Sequence, residues 1–188
     1  MAIRTFLALE LDESIRRAIV AAAQSLPADG AKIRWVEQQN LHITLKFLGD
    51  VPDADVMAVC RAAESVSAGL DRPTFDVTGL TCIPPRGPVK MVWAGVRDPA
   101  RAITAAFDEL EAALEPLGFD PEPRAYRPHV TVGRVRYCPR PAALREATAG
   151  LAGTEFGTRT ASEIVVYSSQ LTREGPIYGA MARCSLGP

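Results

Sequence analysis

Both histidines of this chain fall in one short pattern, His-x-Thr followed by an apolar residue: His42-Ile43-Thr44-Leu45 and His129-Val130-Thr131-Val132. An imidazole has an ordinary pKa of about 6.5, so near neutral pH one copy can be neutral and the other protonated. A facing pair can therefore work as base and acid. In transfer at phosphorus, one imidazole takes a proton from the attacking water or hydroxyl, and the other gives one to the departing oxygen. Two threonine hydroxyls pointing the same way would donate to the non-bridging oxygens, where charge develops. The substrate class that fits is a phosphodiester. A single His-x-Thr would read as a packed or surface histidine; two copies with matching flanks argue against that. A metal site is a poor alternative, because two histidines without a carboxylate near them in sequence make a thin donor set.

Period-2 alternation around each copy marks a half-buried strand, at about 41–48 and 128–135. Leu41, Ile43, Leu45 and Phe47 are expected to face a core, with His42, Thr44 and Lys46 projecting from the opposite face. The second copy repeats this, with Val130 and Val132 inward and His129 and Thr131 outward. Between Pro123 and Arg145 lie six arginines, among them Arg127 and Arg134, and no acidic residue. Guanidinium groups pair bidentately with phosphate oxygens, so this window is a candidate phosphate site, with a solvated basic face as the plain alternative. Tyr126, Trp35 and Phe47 are candidates for stacking on a base, and each could equally be core or rim packing.

The elements that position these residues follow from local pattern. Residues 3–10 read as a strand and Asp12 as the cap of an amphipathic helix ending at Pro27. Ile33 to Val36 is a short extended piece before the first histidine strand. Pro52 and Asp53 open a helix to Gly69, and Thr74–Cys82 and Val89–Val96 form a hairpin. Asp98-Pro99 starts a further helix that runs to Gly118. After the second histidine strand come a short helix at 139–149 and strands at 155–160, 163–167 and 177–185. The histidines are 129 − 42 = 87 residues apart, and the same offset relates Phe6 to Trp93 and Pro52 to Pro139. This predicts one domain, 1–188, with an internal duplication: two like lobes that pack firmly across a shared cleft.

Apolar residues make up 47 % of 188, enough for a substantial core, and the net charge of −1 does not suit a protein that coats nucleic acid. The apolar start meets Glu10, Asp12 and Glu13 too early for a secretory segment, and no later run approaches membrane-spanning length. A cytoplasmic location is expected. Cys60, Cys82, Cys138 and Cys184 are scattered, which suggests free thiols rather than a disulfide framework or zinc knuckle.

Over nearly its whole length the chain resembles the two-histidine phosphoesterases, and within them the RNA 2',3'-cyclic phosphodiesterases also called 2'-5' RNA ligases. The resemblance rests on Arg4-Thr-Phe-Leu-Ala8, Trp35 ahead of Asn40-Leu-His-Ile-Thr-Leu-Lys-Phe-Leu-Gly49, Val92-Trp93-Ala-Gly-Val96, Arg127-Pro-His-Val-Thr-Val-Gly-Arg134, and Tyr167-Ser-Ser-Gln-Leu171 with Gly175 and Tyr178. It implies a bilobal, pseudo-twofold α+β fold, with two antiparallel sheets and outer helices lining a V-shaped cleft. It also implies opening of a terminal 2',3'-cyclic phosphate to a 2'-phosphate without metal or cofactor. His42 would be the proton donor and His129 the acceptor, with Thr44 and Thr131 on the phosphate and Arg134, Arg127, Lys46 and Tyr126 as further substrate contacts. Strict alternation would put Arg134 on the core side, so its role requires a twist, bulge or strand end there. The same chemistry with a ribose 5'-hydroxyl as nucleophile would join RNA ends through a 2'-5' linkage. The expected partners are RNA 3' ends bearing the cyclic phosphate, or small cyclic-phosphate nucleotides such as an ADP-ribose derivative, met by a monomer. A non-catalytic RNA-end binder using the same cleft is the reading from a different class.

Overall fold

The computed structural model describes residues 1–173 and 175–187. β1 (Ala2–Glu10) carries the buried run Phe6-Leu7-Ala8-Leu9 through the centre of one half of the sheet. It pairs antiparallel with β3 (His42–Pro52) on one side and β8 (Glu163–Leu171) on the other, and β9 (Pro176–Ser185) extends β8. The second half repeats this around β5 (Met91–Arg97), which lies between β6 (His129–Tyr137) and β4 (Thr74–Ile83), with β7 (Glu155–Thr160) outside β4. The order is β7-β4-β5-β6-β3-β1-β8-β9. The two expected antiparallel sheets are thus joined edge to edge, through Ile43 opposite Val130. Past that pair β3 and β6 part, and β2 (Lys32–Trp35) takes over the edge of β6 from Gly133 to Tyr137. A cleft opens where they diverge.

Each half of the chain lends elements to the other. β4 follows the first histidine strand yet pairs with β5, and β8 follows the second yet pairs with β1. The helices cross over too. α1 (Glu13–Gln24) packs on β6 and β7, whereas α3 (Ala102–Leu114) packs on β3 and on α2 (Asp53–Ala68); α2 also lies on β8 and β9, and α4 (Pro141–Gly150) covers β4. No linker separates the halves because neither half keeps all of its own strands. The core runs through both, from Leu7, Leu9 and Ile43 to Val92, Ala94 and Val130.

Two helix starts differ from expectation. Asp12 takes the cap position of α1, but its carboxylate is committed to Arg159 rather than to the helix. The helix after Asp98-Pro99 begins only at Ala102. The Asp98 carboxylate still caps it from upstream, accepting from the backbone N–H of Ala102, Ile103 and Thr104 at 2.9, 3.0 and 3.2 Å.

Two bulges decide which side chains reach the cleft. Opposite β1, Leu45 is the extra residue of β3; opposite β5, Val132 is the extra residue of β6. Each shifts the alternation by one. Lys46 therefore turns inward and is only 5 % exposed, while Phe47, expected in the core, is 49 % exposed. The equivalent bulge buries Val132 and Gly133 and brings Arg134 out, meeting the condition that strict alternation would have failed. The offset also needs correction on the neighbouring strands. Phe6 pairs with Phe47 and Met91 with Arg134, so the partner of Phe6 by register is Met91, at 91 − 6 = 85, and Trp93 corresponds to Ala8.

Candidate active site

Because β3 and β6 are antiparallel through Ile43 and Val130, His42 stands across from Thr131 and Thr44 across from His129, all on one face. The imidazoles are anchored alike. Nδ1–H of His42 donates to the carbonyl of Asn40 at 2.7 Å, and Nδ1–H of His129 to that of Arg127 at 2.9 Å. A carbonyl can only accept, so Nδ1 must carry the proton and Nε2 is the working nitrogen in both rings. Nε2 of His42 lies 3.0 Å from the Thr44 hydroxyl, which donates to it while the ring is neutral.

Aromatic rings fix the imidazole planes. Trp93 stacks on His129 with centroids 3.6 Å apart and planes 16° apart. Phe6 stacks on His42 at 5.0 Å across the small Ala8, and Tyr178 meets the same imidazole edge-on at 5.5 Å. Burial disfavours charge on both rings. His42 is pushed down to about 4, first by loss of solvent and then by Arg16, His129 and Arg134, against the Asn40 hydrogen bond. His129 is lowered as well, again mainly by burial. Both rings are therefore biased toward the neutral form.

A cavity of about 420 Å³ opens beside His42, Thr44, Thr131 and Arg134, with Arg4, Phe47 and Tyr178 further out. Its volume falls in the usual range for small-ligand sites. Arg4 lies over the Phe47 ring, 4.5 Å from its centroid. Sequence reasoning named Phe47 as a stacking candidate while also assigning it to the core, and it missed Arg4, Asn40 and Tyr178 as cavity residues. Asn40 has a structural task there: its side-chain amide donates to the carbonyl of Pro176 at 3.0 Å, tying the β8–β9 hairpin to the histidine strand.

Three expected contacts lie elsewhere. Lys46 is buried beneath the cleft, 2.6 Å from the Glu111 carboxylate and donating to the carbonyl of Asp120 at 2.7 Å; the Leu45 bulge put it there. Tyr126 packs face to face on Phe107 at 4.2 Å and donates its hydroxyl to the backbone carbonyl of Thr44 at 2.9 Å, so it supports the strand from behind. The Arg127 side chain is exposed and outside the cavity wall; its carbonyl is what holds His129. Trp35, another stacking candidate, lines the cavity but packs closely on Gly133, where an added Cβ would sit 2.7 Å from the indole.

Among the described residues no helix is long and apolar enough to cross a membrane. Two imidazoles held in one tautomer on strands that share an edge are the equipment of a two-histidine phosphoesterase. The family model described as LigT-like phosphoesterase matches residues 9–93 and 95–178, so it meets the chain twice. The chain belongs to that family. A relative from Methanothermobacter thermautotrophicus, named RNA 2',3'-cyclic phosphodiesterase, is 34 % identical over 185 residues, covering 96 % of this chain and 97 % of that protein. Among solved structures, a Thermus thermophilus protein superposes with TM-score 0.80 at 23 % identity, covering 97 % of each chain. Escherichia coli LigT complexed with 3'-AMP superposes with TM-score 0.75 at 24 % identity, covering 99 % of each.

Proposed function

We propose that this phosphoesterase is a metal-independent RNA 2',3'-cyclic phosphodiesterase, acting as a cytoplasmic monomer on RNA 3' ends. The observation that carries the reading is the paired anchoring of His42 and His129 through Nδ1, which makes Nε2 the working nitrogen of both rings on facing strands. The activity for which the Methanothermobacter relative is named supports the choice of substrate. Water attacks the cyclic phosphorus and gives its proton to Nε2 of His129. The bond from phosphorus to O3' breaks, and His42 returns a proton to O3', leaving the 2'-phosphate. Thr44 and Thr131 donate to the non-bridging oxygens, and Arg134 balances their charge. The incoming anion favours the charged form of His42, opposing the burial that holds its pKa down.

The cavity beside His42 takes the nucleoside, with its base on Phe47 and Arg4. With a ribose 5'-hydroxyl in place of water as nucleophile, the same displacement makes a 2'-5' linkage. A second reading, a small cyclic-phosphate nucleotide as true substrate, is favoured by a cavity of about 420 Å³, room for about one nucleotide. The test is incubation of an oligoribonucleotide ending in a 2',3'-cyclic phosphate with excess EDTA. Conversion to a 2'-phosphate supports the proposal. Binding without turnover would replace it with an RNA-end binder, and turnover confined to cyclic mononucleotides would favour the second reading.

A further inference from the structure

A second hollow, of about 260 Å³, lies beside His42 and shares Asn40, His42 and Tyr178 with the first. Its further lining is charged, with Arg16 from α1, Arg183 from β9 and Glu10 from β1. These charges are not equally free. Glu10 accepts from the Tyr167 hydroxyl and from Arg183, and Arg183 also pairs with Glu163. The negative charge in the hollow is therefore matched chiefly by Arg183, with Arg16 within electrostatic reach but not hydrogen-bonded to it. Arg16 has no ion-pair partner among the described residues, and its Nε is buried without an acceptor. Burying a guanidinium N–H unpaired is costly, and an anionic oxygen relieves that cost most effectively.

Nucleotide chemistry gives the hollow an occupant. In a ribose the 2' and 3' oxygens share one edge, while the base and the 5' carbon leave from C1' and C4' on either side of the ring oxygen. A ribose seated over Asn40, His42 and Tyr178, with its cyclic phosphate at the histidines and its base toward Phe47, sends its 5' oxygen toward Arg16. We infer that the hollow lined by Arg16 is a subsite for the phosphate on the 5' side of the reacting ribose, an inference that rests on the phosphodiesterase reading. Its neighbourhood agrees: Arg16 is among the charges that hold His42 down, so it lies within electrostatic reach of the imidazole. A 5' phosphate is common to an RNA chain and to a small 5'-phosphorylated nucleotide. The subsite recognises that shared group.

Calorimetry with three probes tests this: adenosine 2'-monophosphate, adenosine 2',5'-bisphosphate, and the dinucleotide ApA carrying a 2'-phosphate. The bisphosphate should bind wild type about tenfold more tightly than the monophosphate, the gain of one charge-assisted contact. In Arg16→Gln that ratio should collapse toward one, and in Arg16→Lys most of it should remain. A dinucleotide that matches the bisphosphate identifies an RNA chain as the source; one that binds like the monophosphate identifies a terminal 5' phosphate on a small nucleotide. Equal affinities for the monophosphate and bisphosphate in wild type would overturn the subsite even if no variant folds, and so would a ratio unmoved by Arg16→Gln. Turnover of an oligoribonucleotide ending in a 2',3'-cyclic phosphate by wild type, followed in parallel, separates the two claims. Its absence beside an intact ratio sinks the phosphodiesterase reading and leaves the subsite standing.

Discussion

Ile43 and Val130, 87 residues apart, face each other as the register pair that joins the two halves of the sheet. Both are fully buried, and each is flanked by the histidine and threonine of its own copy. Two like strands that pair at equivalent residues place a local twofold at that contact. The two imidazoles and two hydroxyls are arranged about it.

Near-equivalent positions should give near-equivalent losses. Thr44→Val and Thr131→Val, each removing one hydroxyl donor from the phosphate, should each lower kcat by about 10²–10³-fold. Steady-state turnover of a cyclic-phosphate substrate checks this, and a loss confined to one of them would mean that only one threonine touches the phosphate.

The Lys46–Glu111 pair lies in the interior, with both side chains largely excluded from solvent. Lys46→Met leaves the Glu111 charge buried without its partner and should cost about 3–5 kcal/mol in urea unfolding. Adding Glu111→Leu should recover most of that loss. Lys46→Met that unfolds like wild type while weakening substrate binding would return Lys46 to the cleft.

Much of this was legible in sequence, and the exceptions have physical causes. Period and caps located the elements, and the repeated His-x-Thr located the site. The reversed fates of Lys46 and Phe47 were hidden because one extra residue, Leu45, inverts the side chains that follow it until a second shift at Leu48, and no residue type announces a bulge at that point. The pairing of β8 with β1 was hidden for another reason. The β4–β5 hairpin is legible because a turn joins neighbouring strands, whereas partners as distant in sequence as Thr5 and Ser168 leave no local signature. Tyr126 was a candidate for stacking on a base because it is aromatic; its ring stacks instead on Phe107, from a helix elsewhere in the chain.

Phe47 gives a direct test of the nucleoside side of the cleft. Phe47→Ala should weaken binding of adenosine 2'-monophosphate by about 1–3 kcal/mol, the worth of one base stacked on an aromatic ring. Inhibition by inorganic phosphate should be unchanged. An equal loss for both ligands would point to distortion of β3 instead.

The depressed histidines make folding and binding respond to pH in opposite ways. His42 titrates near 4 in the folded chain against about 6.5 when unfolded, so between those values the unfolded state holds more protons. Stability should therefore fall as pH drops through this window, and His42→Asn should flatten the slope. An anion at the site raises the imidazole pKa, so binding of adenosine 2'-monophosphate near pH 6 should take up protons. Calorimetry in buffers of different ionisation enthalpy measures that uptake; proton release would contradict it.

The most direct test of the central claim is single-turnover cleavage of an oligoribonucleotide 2',3'-cyclic phosphate, in excess EDTA, by wild type, His42→Ala and His129→Ala. If the two imidazoles act as acid and base, wild type makes the 2'-phosphate and each variant is slower by about 10²–10⁴-fold while still binding the RNA end. Turnover undiminished by either substitution, or abolished in wild type by EDTA, would contradict the two-histidine mechanism.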